Sequence, residues 1–219
     1  MDKISDVSFK NITESIYIRP FRIQYTQDGK KKLWDCAVHH DSVAILVHNI
    51  SRDVFVFVKQ FRPAVYYNQA ESLGAVESGR IDSEKAPGRL GVTYEMCAGI
   101  VDKDCSVEQI AKEEVLEECG YDVPLRHLEK ITVCRSGVGT SGTLQTLFYA
   151  KVTDAMRVGE GGGNPTEGEL IEVIEVPVSE SLAFVMDETV ETPVGLLFGI
   201  TWYMACKQNQ KGCKSGGCS

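Results

Sequence analysis

Residues 98–121 read AGIVDKDCSVEQIAKEEVLEECGY. The spacing predicts a short helix over 107–119. Ser106 is placed to N-cap it, Gln109 three residues on completes an S-x-x-Q capping box, and Gly120 stands where a left-handed glycine ends a helix. At about 100° per residue, Val107, Ile110 and Ala111 share a face, with Val115 at its margin. Glu114, Glu117 and Glu118 fall on that same side, and Glu113 points away. Carboxylates so placed meet desolvation, the negative end of the helix dipole, and each other at i, i+3 and i, i+4 spacing. A divalent cation removes each of these objections. Oxygen-only ligands favour a hard ion, Mg²⁺ first, with Mn²⁺ or Ca²⁺ next. The other reading is a solvated acidic helix end, the usual fate of a charge run; the position on the apolar side argues against it.

The stretch resembles the signature box of the Nudix hydrolases, G-x5-E-x7-R-E-U-x-E-E-x-G-U, with U apolar. Gly99 opens the box, and Glu114, Val115, Glu117, Glu118, Gly120 and Tyr121 match in register. Two positions depart: Cys105 stands for the first Glu, and Glu113 for the Arg. In the family those two positions act mainly as supports, so their change bears on rate more than on metal binding. The resemblance implies that Glu114, Glu117 and Glu118 hold the metal, together with the backbone carbonyl of Ala98.

Towards the N-terminus, two alternating stretches, YIRPFRIQYTQ and KKLWDCAV, meet at Asp28-Gly29, a strong hairpin signal. A small antiparallel subdomain is expected over residues 1–40, ahead of a main domain over 41–208. In the nucleotide-sugar branch of the family such a subdomain helps form a homodimer and holds the base, with Tyr25 and Trp34 as the aromatic candidates here. SVAILV (42–47) and VFVFV (54–58) are short, wholly apolar runs that read as central strands. His39 and His40 lack zinc spacing and read as strand-end residues. Lys59-Gln60-Phe61-Arg62-Pro63 resembles the Q-x-R-x-P segment of nucleotide-sugar Nudix enzymes. Arg62 leaves a buried strand, where a fixed guanidinium can hold a diphosphate by paired bonds. Residues 68–91 show little periodicity and read as a long insertion or flap. VTYEMC (92–97) is then a strand entering the box, and its Glu95 matches the E-x-x-A-G entry of the same branch.

After the helix, 128–134 and 145–152 read as strands. RSGVGTSGT (135–143) joins them, as a hairpin connection or a phosphate-cradling loop; the family places this loop, with Gly137, at the site. VGEGGGNPTEGE (158–169) is glycine-rich and acidic, which suits a mobile loop carrying a general base. Glu167 and Glu169 are the candidates and are not separated. A strand over 170–176 and two helices, 179–186 and 193–208, close the fold, with Trp202 and Tyr203 read as core. Residues 209–219, Gly/Ser/Lys-rich, read as a disordered tail.

The expected fold class is α/β, in the α+β Nudix sense: a mixed sheet flanked by helices, plus the N-terminal antiparallel subdomain. At 219 residues with 43% apolar content, one substantial core is expected. A net charge of −8 argues against a nucleic-acid partner. No apolar run reaches membrane-spanning length, and the polar residues 1–10 give no secretory leader. Eight cysteines without a C-x-x-C pair read as free thiols in a reducing cytoplasm. The resemblance is closest to the UDP-glucose pyrophosphatase branch. It implies Mg²⁺-dependent hydrolysis of a nucleoside diphosphate sugar, UDP-glucose to UMP and glucose 1-phosphate. ADP-ribose hydrolysis is the alternative within the class, and a binding module that has lost catalysis the alternative outside it.

Overall fold

A computed structural model describes residues 2–12, 15 and 18–208; the tail over 209–219 lies outside them. The chain opens with a hairpin of β1 (Arg19–Gln27) and β2 (Lys30–Val38), joined at Asp28-Gly29 with φ +51° and +74°. Positive φ at both central residues is the turn whose twist matches paired strands. Strands β3 (Ser42–Asn49) and β4 (Val54–Phe61) follow. Helix α1 (Pro63–Ser72) and the short pair β5 (Val76–Glu77) and β6 (Arg80–Ile81) come next. Then come β7 (Val92–Glu95), β8 (Cys97–Ile100) and α2 (Val107–Cys119). After them run β9 (Leu128–Ser136), β10 (Thr143–Val152), β11 (Ile171–Pro177), α3 (Val178–Met186) and α4 (Val194–Tyr203).

The main sheet has the order β11-β4-β3-β10-β9, with β7 added to β4 and β8 to β3. β3 and β10 run parallel and the other pairs antiparallel, so the sheet is mixed. The apolar runs of β3 and β4 lack alternation because both faces of the sheet are covered. Val43, Ile45, Val47, Val56 and Val58 pack on one side with Ile110, Ala111 and Val115 of α2. Ala44, Leu46, Phe55 and Phe57 pack on the other with Val185 of α3 and Leu196 and Ile200 of α4. Among the described residues no helix is long and apolar enough to cross a membrane.

Three readings change. The stretch over 68–91 is ordered structure rather than a flap: Tyr66, Ala70, Ala75, Ile81 and Ala86 form a small core of their own, with Ile4 and Val7 packed on it. Its alanines fill the space that larger residues fill elsewhere, so no hydrophobic period is visible. The strand expected over 92–97 breaks at Met96, because β7 pairs with β4 and β8 with β3. The capping box is half formed: Ser106 Oγ accepts from Gln109 N at 3.2 Å, while the Gln109 amide turns to Glu113 at 2.8 Å.

Candidate active site

Helix α2 ends at Gly120 in the left-handed conformation, φ +76°. Its last turns carry the carboxylates. Glu118 is buried, 3% exposed, and its Oε2 accepts from the backbone N–H of Ala98 on β8 at 2.9 Å. Glu114 lies against β8 at Gly99; a Cβ there would come within 2.0 Å of Glu114 Oε1. The first box glycine is therefore a bare patch of strand over which a carboxylate lies. Burial, then the charges of Glu117 and Glu169, push Glu114 up to about 7. Burial is also the main reason that Glu118 rises to about 8, against the lowering bond from Ala98 N–H. Both are acids held partly protonated near neutral pH for want of a compensating positive charge.

That donor chemistry fits a hard divalent cation: carboxylate oxygens of Glu114 and Glu118 at one helix end, lying against the backbone of β8, with no soft ligand required. Among the described residues no three His, Cys, Asp or Glu side chains converge at metal-binding distance. Glu118 points at Ala98 N–H, and Glu117 stands on the exposed side of the turn. Cys97 and Cys119 are both buried, and burial pushes the Cys97 thiol well up. A thiol raised in this way is a poor nucleophile.

The glycine-rich stretch over 158–169 is held rather than free. Gly162 N and Gly163 N donate to the carbonyls of Glu118 and Glu117 at 2.9 and 3.2 Å, and Val158 N and Gly159 N donate to Gly120 O. These are the carbonyls that a helix C-terminus leaves without partners. Gly161 is required by contact: a Cβ there would stand 2.3 Å from Glu118 O, at φ +73°. The loop is thereby tied to the backbone of the same residues whose side chains face the site. Glu169 Oε2 accepts from Asn164 N at 2.9 Å, and its charge reaches Glu114, Glu118 and Arg62. The backbone of Glu167 belongs to the short turn Pro165–Glu167.

Arg62 follows the last residue of β4 and is the N-cap position of α1. Its guanidinium is gripped by Glu95 of β7, Nε to Oε1 and Nη2 to Oε2, both 2.7 Å. The two predicted ligand contacts are therefore partners of each other. Arg62 is held above its ordinary value by the Glu95 bond. Burial pushes Glu95 up, but the Arg62 and Thr93 bonds outweigh it and hold the carboxyl below its usual range. Glu95 also lines a cavity of about 850 Å³ between the sheet and α4. Ala98, Arg135, Phe198 and Trp202 line it too; Trp202 packs on the core, as expected, and also borders this cavity.

The loop over 135–143 sits at the other end of that cavity, through Arg135 and Ser136. Three of its amides are turned inward: Thr140 N, Ser141 N and Gly142 N all donate to Gly137 O, at 2.8, 2.8 and 2.9 Å. It does meet the hairpin. Trp34 Nε1 donates to Gly139 O at 2.8 Å, and Ala37 N to Thr140 O at 3.0 Å. Tyr25 and Trp34 share one face of the hairpin with Phe21 and Ile23, all between 37% and 52% exposed.

At the two departures from the signature, the loop before α2 carries Lys103, whose Nζ bonds Glu113 at 2.9 Å. An ion pair of loop cation and helix anion joins the segments. Both groups are exposed, so solvent screens the pair and it adds little to stability. Sequence reasoning missed Thr93, which bonds Glu95 (2.6 Å). Its i, i+2 relation to Glu95 along a strand was the available signal.

No protein-family model matches the chain. It is 44% identical over 214 residues to the uridine diphosphate glucose pyrophosphatase of Bos taurus, covering 94% of this chain and 96% of that one. Identity to the Mus musculus protein of the same name is 43% over 213 residues, again 94% and 96%. The GDP-mannose pyrophosphatase of Cronobacter sakazakii is 33% identical over 153 residues, 70% of this chain and 66% of that protein.

Proposed function

Because the chain belongs to the Nudix hydrolase superfamily, in the branch of the UDP-glucose and GDP-mannose pyrophosphatases, we propose that it hydrolyses a nucleoside diphosphate sugar, UDP-glucose first, to UMP and glucose 1-phosphate with Mg²⁺ as cofactor. One observation carries the reading: two carboxylates of one helix end, half-buried Glu114 and buried Glu118, share a charged neighbourhood with Arg62 and Glu169. A diphosphate needs that combination of cation site, fixed guanidinium and base. Glu114, Glu117, Glu118 and the Ala98 carbonyl would hold the ion, which supplies charge neutralisation for the diphosphate. Arg62, clamped by Glu95, offers its remaining N–H groups to non-bridging oxygens. Glu169, whose charge reaches Glu114, Glu118 and Arg62, takes the role of general base; the side chain of Glu167, the other candidate, lies outside the described residues. The cavity beside Glu95 and Ala98 takes one arm of the substrate, with Gly137's loop and Trp34 at its rim. The apolar hairpin face of Phe21, Ile23, Tyr25 and Trp34 is the surface by which two copies of the chain pair, because a lone two-stranded hairpin is only marginally stable.

The deciding assay offers UDP-glucose, GDP-mannose and ADP-ribose in parallel with Mg²⁺ and follows release of the monophosphates. The expected result is fastest turnover of UDP-glucose, abolished by chelator. The Glu169→Gln variant should lose about 10² or more in kcat with KM little changed. Turnover of ADP-ribose alone would replace the substrate. Absence of all turnover in folded protein that still binds Mg²⁺ would leave a binding module.

A pH dependence follows from the raised carboxylates. Glu114 at about 7 and Glu118 at about 8 hold protons in the folded, metal-free protein that the unfolded chain has released above its ordinary 4.5. Between those values the folded state binds more protons, so metal-free stability falls as pH rises. Cation binding removes that loss. The rise in Tm produced by Mg²⁺ over chelator should therefore be several degrees larger at about pH 8.5 than at about pH 6. A pH-independent increment in thermal melts would contradict the assignment of these carboxylates to the metal.

A further inference from the structure

We propose that Thr93 is a positioning residue for the diphosphate, acting through Glu95 on Arg62; the inference rests on the reading of Arg62 given above. Thr93 lies on β7, 6% exposed, two residues before Glu95 and on the same side of the strand. Its hydroxyl has one proton to give. Two acceptors stand near it, Glu95 Oε1 at 2.6 Å and the Gln60 carbonyl at 3.5 Å. The short bond goes to the carboxylate. A β-branched side chain is stiff about χ1, so the hydroxyl is a fixed post rather than a swinging one.

Glu95 in turn uses both oxygens on Arg62, and Oε1 is the oxygen shared by Thr93 Oγ1 and Arg62 Nε. The chain from buried strand to guanidinium is unbroken. It consumes the Nε–Nη2 edge of Arg62 and leaves Nη1, which has no protein partner among the described residues, together with the second proton of Nη2. That pair of donors forms the parallel fork that matches two phosphate oxygens. Arg62 and Thr93 line one shallow depression, and Glu95 is the wall that this depression shares with the larger cavity. A guanidinium that is half exposed would otherwise sample many rotamers. Anchoring it from below fixes which edge meets the substrate, and a buried apolar residue at 93 would fill the same volume without doing so.

The experiment compares Thr93→Val and Thr93→Ser with the wild type. Two readouts are taken: steady-state hydrolysis of UDP-glucose with Mg²⁺, and titration calorimetry with UDP. The valine variant keeps shape and burial but loses the bond. Its KM and its Kd for UDP should rise about tenfold, the size of one hydrogen bond to a charged group, with kcat within about twofold. Serine restores the hydroxyl and should restore both constants. A folded valine variant with wild-type KM and Kd overturns the proposal, and so does a serine variant as impaired as valine. A wild type that binds UDP without hydrolysing UDP-glucose removes the substrate assignment and leaves the titration to decide Thr93. A wild type that does neither overturns both.

Discussion

Glu118→Gln will lower kcat on the order of a thousandfold and leave the fold intact. The size follows from the job. A cation at a phosphoryl centre is worth several kcal/mol of charge stabilisation, and each 1.4 kcal/mol is about tenfold in rate. Glu118 is the most buried of the box carboxylates, and burial, which lifts it to about 8, is the environment that a cation must reverse. Glutamine has the same shape and keeps an oxygen for the Ala98 N–H, which Glu118 now occupies at 2.9 Å. It cannot carry the negative charge that binds a cation. Stability should follow the opposite course. The wild-type carboxyl loses stability without metal as pH rises from its ordinary 4.5 towards about 8, so the glutamine variant should match the metal-free wild type in thermal melts only at about pH 4.5 or below. It should exceed it near pH 8.5. Full turnover in a folded Glu118→Gln protein would remove Glu118 from the metal site.

The parts of this fold that were legible in the sequence are those fixed by local rules. Helix α2 runs over Val107–Cys119 because Ser106 caps it and Gly120 ends it. The hairpin turns at Asp28-Gly29 because both residues tolerate positive φ. β3 and β4 read as central because a strand covered on both faces has no polar side to show. What was not legible depends on contacts between segments far apart in the chain. The glycines of 158–169 look like mobility in one dimension, but Gly161 is small because Glu118 O lies 2.3 Å from where its Cβ would be. Arg62 looks like a free ligand contact until Glu95, brought beside it by the β4–β7 pairing, takes two of its donors. Loop 135–143 has the composition of a phosphate cradle, yet three of its amides are spent on Gly137 O. Trp202 packs on the core as its flanks suggest, and only the position of α4 against the sheet shows the cavity that it also borders.

Gly99→Ala will separate activity from stability most cleanly. The three atoms nearest the added methyl all belong to the Glu114 side chain, 2.0 Å from Oε1, 2.1 Å from Cδ and 2.7 Å from Cγ. None of these three is backbone, and the β-strand conformation of Cys97–Ile100 accepts alanine without strain. Glu114 can swing aside because it is the end of a flexible side chain, so the fold absorbs the methyl for less than about 1 kcal/mol of stability. The swing carries the carboxylate off β8 and away from its place beside Glu118. Loss of one of the charged oxygens at a phosphoryl centre should cost about 10² in kcat. The rise of Glu118 that Glu114 contributes should shrink with it, since the charge of Glu114 is among the influences that lift Glu118. The checks are kcat with saturating Mg²⁺ and the thermal midpoint, measured on one preparation. A midpoint within a few degrees of wild type with kcat down about a hundredfold is the expected pair. Wild-type kcat would mean that Glu114 does its work from some other position, and that the bare glycine is only a feature of packing.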